Sequence, residues 1–157
     1  MKIRAATPAD IITCVKIHRS SEGIRIKYLK KDELLTRKYL RRYFGNDYST
    51  ILVAEDSDNI IIGYIIFSHD EWNNLVHIDQ FFIRPDKRNQ GVGSKLLDVV
   101  LERAKNMGIR IVFLETGKTG NDAIRFYKKN GFSMAGHIKS LYREVPGDAL
   151  VMSRKLG

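Results

Sequence analysis

Cysteine, proline and tryptophan are scarce in this chain, and long apolar runs are absent from it. The single cysteine, Cys14, excludes an internal disulfide framework and leads us to expect a reducing compartment. Its neighbours Ile11, Ile12, Val15 and Ile17 make it a packed helix thiol rather than a nucleophile. No apolar stretch approaches the roughly 20 residues that span a bilayer. Met1-Lys2-Ile3-Arg4 lacks the apolar centre of a signal peptide. A cytoplasmic protein with no membrane contact is therefore expected. The four histidines, His18, His69, His77 and His137, show no close paired spacing, so no metal is expected either. With no repeat, no low-complexity segment and no linker-like stretch, 157 residues at 43% hydrophobic content suit a single domain over residues 1–157.

Acidic residues are short only in one place. In residues 1–45, 12 Lys or Arg face 4 Asp or Glu, against 15 and 14 in the remainder, so the net charge of +9 is almost wholly N-terminal. Arg25, Lys27, Lys30, Lys31, Arg37, Lys38, Arg41 and Arg42 are opposed there only by Asp32 and Glu33. Such a cluster is either a solvated helix face or a surface that favours anionic partners.

The chain reads as alternating strands and helices. Residues 2–6 form a short strand. Thr7-Pro8 with Asp10 then marks a helix start that runs to about Arg19 and is broken by Ser20-Ser21-Glu22-Gly23. A second helix over residues 31–44 carries Leu34, Leu35, Tyr39, Leu40, Tyr43 and Phe44 on a broad apolar face and ends at Gly45-Asn46. Residues 50–55 and 60–68 are strands joined through Asp56-Ser57-Asp58-Asn59. Trp72, in the polar turn that follows, reads as a partly buried packing residue. A central strand from Val76 to Ile83 leads through Pro85 to a glycine-containing loop. The apolar residues of the next helix fall at Leu96, Leu97, Val100, Leu101, Ala104 and Met107, and it closes at Met107-Gly108. Residues 109–115 are a strand, a helix capped by Thr119 or Asn121 ends at Asn130-Gly131, and residues 132–137 and 150–154 form a final antiparallel pair around Pro146-Gly147. The fold class is α/β, a mixed sheet with helices on both sides.

The loop before the third helix is the chemically informative stretch: Arg88-Asn89-Gln90-Gly91-Val92-Gly93-Ser94. Two glycines at a helix start gather free backbone N–H groups and the positive end of the helix dipole at one point, which suits a phosphate group. It is neither the dinucleotide fingerprint, which needs a third glycine, nor a Walker loop, which needs Gly-Lys-Ser/Thr. Arg88-x-x-Gly91-x-Gly93 does match the Arg/Gln-x-x-Gly-x-Gly/Ala pyrophosphate loop of the GNAT N-acetyltransferase family. Downstream, Ile111-Val112-Phe113-Leu114-Glu115 and Asn121-Asp122-Ala123-Ile124-Arg125-Phe126-Tyr127-Lys128-Lys129-Asn130-Gly131-Phe132 resemble that family's strand, helix and Tyr-x-x-x-Gly-Phe ending. The resemblance covers about half the chain.

The resemblance implies a six- to seven-stranded, mostly antiparallel sheet with a central parallel pair. It also implies transfer of acetyl from acetyl-CoA, as donor substrate, straight to a primary amine of a peptide, protein or small molecule. The main chain of Phe81, Phe82 and Ile83 would hold the pantetheine arm, and residues Arg88, Asn89, Gln90, Gly91, Val92, Gly93 and Ser94 the diphosphate. Asn121 would touch the cofactor in place of the family's asparagine, although Gly120 takes the aligned position. Tyr127 matches the family tyrosine that donates to the leaving thiolate and closes on the cofactor. Glu115 is the first candidate for general base, then Asp79, then His77, with a water chain as the remaining option. No Gly-x-Ser-x-Gly elbow or other nucleophile setting is present, so a covalent enzyme intermediate is not expected.

The basic N-terminal helices would border the acceptor entrance, which implies an acceptor with negative charge near its amine. Two other readings are an acetyl-CoA sensor without turnover and a nucleic-acid-associated module on the same fold. A nucleic-acid partner is not expected, because Tyr39, Tyr43 and Phe44 fit a core stripe better than a stacking platform. Oligomeric state is left open, a homodimer included.

Overall fold

In the computed structural model, which describes residues 1–21, 33–142 and 147–157, every strand joins one sheet. Its members are β1 (Lys2–Ala5), β2 (Ser49–Glu55), β3 (Ile61–Asp70), β4 (Leu75–Ile83), β5 (Ile111–Gly117), β6 (Ser133–Ile138) and β7 (Ala149–Lys155). Their spatial order is β1-β2-β3-β4-β5-β7-β6, antiparallel throughout except for the parallel neighbours β4 and β5. The described helices are α1 (Ile11–Ser20), α2 (Glu33–Arg41), α3 (Val92–Asn106) and α4 (Asn121–Lys129). The mixed sheet is the arrangement expected from the residue pattern, and its central parallel pair the one the family resemblance implies.

β2 and β3 are near-continuous apolar runs because helices cover them on both sides. On one face, Leu96, Leu97, Val100 and Leu101 of α3 and Tyr127 of α4 pack on Leu52, Ile65, Val76, Ile78, Val112 and Leu114. On the other, Ile11, Cys14, Val15 and Ile17 of α1 and Leu40 beside Tyr43 pack on Ile51, Val53, Tyr64 and Ile66. Full burial of each such aliphatic side chain contributes about 1.5–3 kcal/mol. His18 belongs to this second layer: its Nδ1 lies 2.8 Å from the Tyr64 hydroxyl and its ring 4.6 Å from that of Phe82.

Three sequence expectations are corrected. Trp72 is 94% exposed, because the β3–β4 turn is held by polar bonds from Asn73 to the Asp70 carboxylate and needs no aromatic filler. Leu34 is 74% exposed, and residues 42–44 leave the α2 helix before Gly45 turns the chain at φ +74°. The α4 helix begins after Gly120, whose carbonyl accepts from Ile124, so neither Thr119 nor Asn121 caps it. At the chain start Thr7 is the N-cap of the Pro8–Asp10 turn, as expected, and its N–H and hydroxyl both donate to the Asp10 carboxylate. Glu22, Gly23, Arg25, Lys27, Lys30, Lys31, Asp32 and Pro146 lie outside the described residues. Tyr43 is buried and Tyr39 half-buried, so their rings belong to the core stripe rather than to an open platform.

Candidate active site

β4 and β5 run side by side for three register pairs only, Leu75 with Ile111, Val76 with Val112 and His77 with Phe113. Beyond His77 the two strands separate. β4 stays bonded to β3 through Ile83, while β5 is bonded to β7 through Gly117. The β5-facing main chain of Phe81, Phe82 and Ile83 therefore has no strand beside it. A β-bulge in the β3–β4 pairing adds to this opening: Ile66 pairs with Gln80 but Phe67 with Ile78. Because of that extra residue Ile78 and Phe81 point to the α3 side, while Asp79 and Gln80 both face the α1–α2 side.

At the mouth of the opening the chain turns through Pro85–Lys87 into the glycine loop and α3. Asn89 and Gly91 adopt left-handed conformations, φ +58° and +81°. Gly91 has open space where a Cβ would stand, so its conformation is what selects glycine. Gly93 is selected by proximity: a Cβ there would meet the Phe126 ring at 3.3 Å. The first helical bond of α3 runs from the Lys95 N–H to the Gly91 carbonyl at 3.1 Å, so the N–H groups of Val92, Gly93 and Ser94 precede the ladder. Arg88 folds back to donate to the Ile83 carbonyl at 3.2 Å, and the Gln90 amide donates to the Asp86 carbonyl at 3.0 Å. These two side chains brace the loop that the backbone amides line.

Four polar side chains form one network on the α1–α2 face of the opening. Ser68 donates to the Asp79 carboxylate. His77 Nδ1 lies 3.2 Å from Asp79 Oδ1, and His77 Nε2 lies 2.6 Å from Glu115 Oε2. Partial burial works against charging the ring, yet the bonds to Asp79 and Glu115 outweigh it and raise the His77 pKa to about 9. At neutral pH the ring is an imidazolium that donates to both carboxylates, and the group of three carries a net charge of −1.

Tyr127 lies on the opposite face of the sheet, packed against Phe81, Phe126 and Phe132 at ring separations of 6.5, 5.3 and 5.6 Å. Burial pushes its phenol above the usual range, with a smaller contribution from Tyr142, so it keeps its proton. Its hydroxyl makes no hydrogen bond among the described residues. Asn121 is exposed at the first position of α4, with its N–H on the Thr119 carbonyl at 2.9 Å. Thus the sequence candidates separate into an acid–base set, Glu115, Asp79 and His77, on one face and a donor, Tyr127, on the other, with the β4–β5 opening between them. Among the described residues no group of three His, Cys, Asp or Glu is placed to hold a metal ion. Nor is any described helix long and apolar enough to cross a membrane.

Sequence reasoning missed Ser68 and Gln80. Period-two alternation puts Gln80 on the face away from Asp79, and only the bulge brings the two together. Gln80 donates to the Tyr39 hydroxyl at 2.8 Å, which ties α2 to the strand beside the candidate base.

Residues 17–132 match the model of the acetyltransferase (GNAT) family. The chain belongs to the GNAT family of acetyltransferases. An uncharacterised N-acetyltransferase of Methanocaldococcus jannaschii is 28% identical over 91% of this chain, which spans 65% of that protein's length. N-alpha-acetyltransferase 30 of Schizosaccharomyces pombe is 33% identical over 68% of this chain and 71% of its own. A phosphinothricin acetyltransferase from Sinorhizobium meliloti, solved with acetyl-CoA, superposes with a TM-score of 0.79 over 99% of this GNAT chain and 88% of its own, and at 24% identity that likeness establishes the shared fold. The matched family model is one of acetyltransferases.

Proposed function

We propose that this GNAT chain transfers acetyl from acetyl-CoA directly to a primary amine: the nitrogen–carbonyl bond forms, the carbon–sulfur bond breaks, and the amine proton leaves to solvent or a base. The observation that carries the reading is the opening between β4 and β5, with the glycine loop at its mouth and acid–base groups on its flank. The residues fit the donor. Free amides of Val92, Gly93 and Ser94 at a helix start suit a diphosphate, and the left-handed Asn89 and Gly91 turn the loop around it, with Arg88 and Gln90 as braces. The edge of Phe81, Phe82 and Ile83 has no strand beside it, and apart from the Ile83 carbonyl, which accepts from Arg88, it suits the amides of the pantetheine arm; an N–H there can stabilise the oxyanion of the tetrahedral intermediate. Asn121 stands at the α4 start, where it can reach the arm.

An alkylamine with a pKa near 10.4 is free of its proton in only roughly one molecule in 2,500 at pH 7, so a proton acceptor matters. His77 is already protonated there, and Asp79 has both carboxylate oxygens engaged by Ser68 and His77. Glu115, which accepts from His77 through Oε2 and stands where the strands part, is the base, reached directly or through water. Tyr127 faces the departing sulfur as a hydrogen-bond donor. Its raised pKa makes complete proton transfer to a thiolate uphill, so its contribution is stabilisation of charge. The acceptor is a peptide, protein N-terminus or small amine bearing negative charge near the nitrogen, since basic residues of the N-terminal helices border this face. A single cysteine, with no internal disulfide to form, suits a reducing compartment such as the cytoplasm.

The test is coenzyme A release from acetyl-CoA with a panel of peptides and small amines, with Tyr127→Phe as the control for transfer chemistry. Release that depends on both an amine and Tyr127 is the expected result. A folded protein that binds no coenzyme A, or releases none with any amine, would overturn the proposal.

A further inference from the structure

A guanidinium stands beside the acid–base network and, among the described residues, forms no ion pair with a carboxylate. The Arg42 side chain lies over two rings, with its central carbon 4.4 Å from the Tyr39 centroid and 4.9 Å from that of Tyr43. One of its terminal nitrogens donates to the Tyr43 hydroxyl at 2.9 Å, and that hydroxyl lies 3.3 Å from the Tyr39 hydroxyl. The Tyr39 hydroxyl in turn accepts from Gln80, the bulge residue next to Asp79. A chain of three side chains therefore fastens Arg42 to β4 at the position adjoining the network. Burial works against its charge, and the bond to Tyr43 together with the fields of Tyr43, Tyr39 and Asp79 raises its pKa nonetheless.

Three arginines of the described chain pair with carboxylates, while Arg88, Arg110 and Arg154 donate to main-chain carbonyls. Arg4 pairs with Asp10 and Glu55, Arg84 with Asp86, and Arg125 with Asp122. Arg42 is exposed and, among the described residues, pairs with no carboxylate. Asp79 accepts from Ser68 and His77, and its field reaches Arg42 without a direct ion pair. A guanidinium held on aromatic faces has already lost much of its rotamer freedom, and its remaining N–H groups form a fork suited to a carboxylate. Beside it the Asp79, His77 and Glu115 group carries a net negative charge suited to an ammonium.

From this juxtaposition we propose that Arg42 binds an anionic group of the acceptor, so that the substrate is an amine with a carboxylate close to its nitrogen. This deepens the transfer reading above and rests on it for the identity of the amine site. Two sources share the chemistry: a free amino acid, whose own carboxylate is adjacent, and a peptide whose first residue is Asp or Glu. An acceptor with further positive charge, such as a polyamine, is repelled by the same guanidinium.

The test is calorimetric titration of the coenzyme A-loaded protein with matched probes. One arm uses free α-amino acids and their amides; the other uses short amidated peptides beginning with Asp or Glu and with Asn or Gln. Coenzyme A release is followed in parallel. In one arm the carboxylate probe is expected to bind at least tenfold more tightly than its neutral partner, as loss of a charge-assisted bond implies. Arg42→Gln should erase that ratio, and Arg42→Lys should keep part of it with the charge but without the fork. A ratio near one in both arms, or a ratio that survives Arg42→Gln, overturns the proposal. A ratio that depends on Arg42 without any release upholds the anion site and sinks acetyl transfer instead. Release without such a ratio does the reverse.

Discussion

The charge on His77 can be checked without any substrate. Its pKa rises from an ordinary 6.5 to about 9, because the carboxylates of Asp79 and Glu115 outweigh the cost of burial. A group whose folded pKa is raised lends stability that is fully present below its unfolded value, about pH 6.5, and lost as pH climbs through 9. At 1.36 kcal/mol per pH unit the rise corresponds to about 3 kcal/mol. The ring is 29% exposed, and solvent screening reduces this to about 2 kcal/mol. His77→Gln keeps the size and hydrogen-bonding capacity of the side chain but removes the titrating charge. Urea unfolding of both proteins between pH 6 and 10 should show the wild type more stable at pH 6, with that advantage shrinking by about 2 kcal/mol by pH 9.5. The buried Cys14 thiol, pushed up to about 12, lowers stability above pH 9 in both proteins alike, so the difference isolates the ring. Parallel pH curves for the two proteins would refute the charged bridge between Asp79 and Glu115.

Tyr127→Phe keeps the ring in its aromatic cluster and should leave the melting temperature and coenzyme A affinity near wild type. It should lower kcat by about a hundredfold, as loss of a positioned donor does; steady-state kinetics with calorimetry separates the two. Gly91→Ala places a Cβ in open space at φ +81°, so its cost is backbone strain of about 1 kcal/mol, read by urea unfolding. The relaxed loop should weaken coenzyme A binding several-fold by calorimetry. Hydrogen bonds from Arg4 hold the Asp10 carboxylate at about 2, below its usual 3.8, against the opposing cost of burial. That stability is present above pH 3.8 and lost as pH falls through 2, and Arg4→Ala should flatten the acid limb of the unfolding curve over that window. Trp72→Ala should change stability by less than about 0.5 kcal/mol in thermal unfolding, because the side chain is almost fully exposed.

Sequence by itself determined the order and type of the described elements, because apolar spacing and turn residues are local properties. Alternation along residues 76–83, the 3.6-residue period of residues 92–106 and the glycines at 91, 108 and 131 are each read within a few positions of one another. The phosphate-suited loop was legible for the same reason, since both the αL turn at Gly91 and the small residue at Gly93 stand in one short stretch. Tertiary structure alone decided which polar groups meet. Ser68, His77, Asp79 and Glu115 come from three strands, and Glu115 reaches His77 only because the strands stay paired as far as that register. The bulge that turns Gln80 to the side of Asp79 breaks the two-residue period and leaves no mark in a pattern of apolar residues. Burial followed the same division. Trp72 looked like a packing residue by composition, but whether a side chain is covered depends on elements far away in the chain; residues 108 and 110 reach the turn at Asn73 and Asn74 and leave Trp72 exposed.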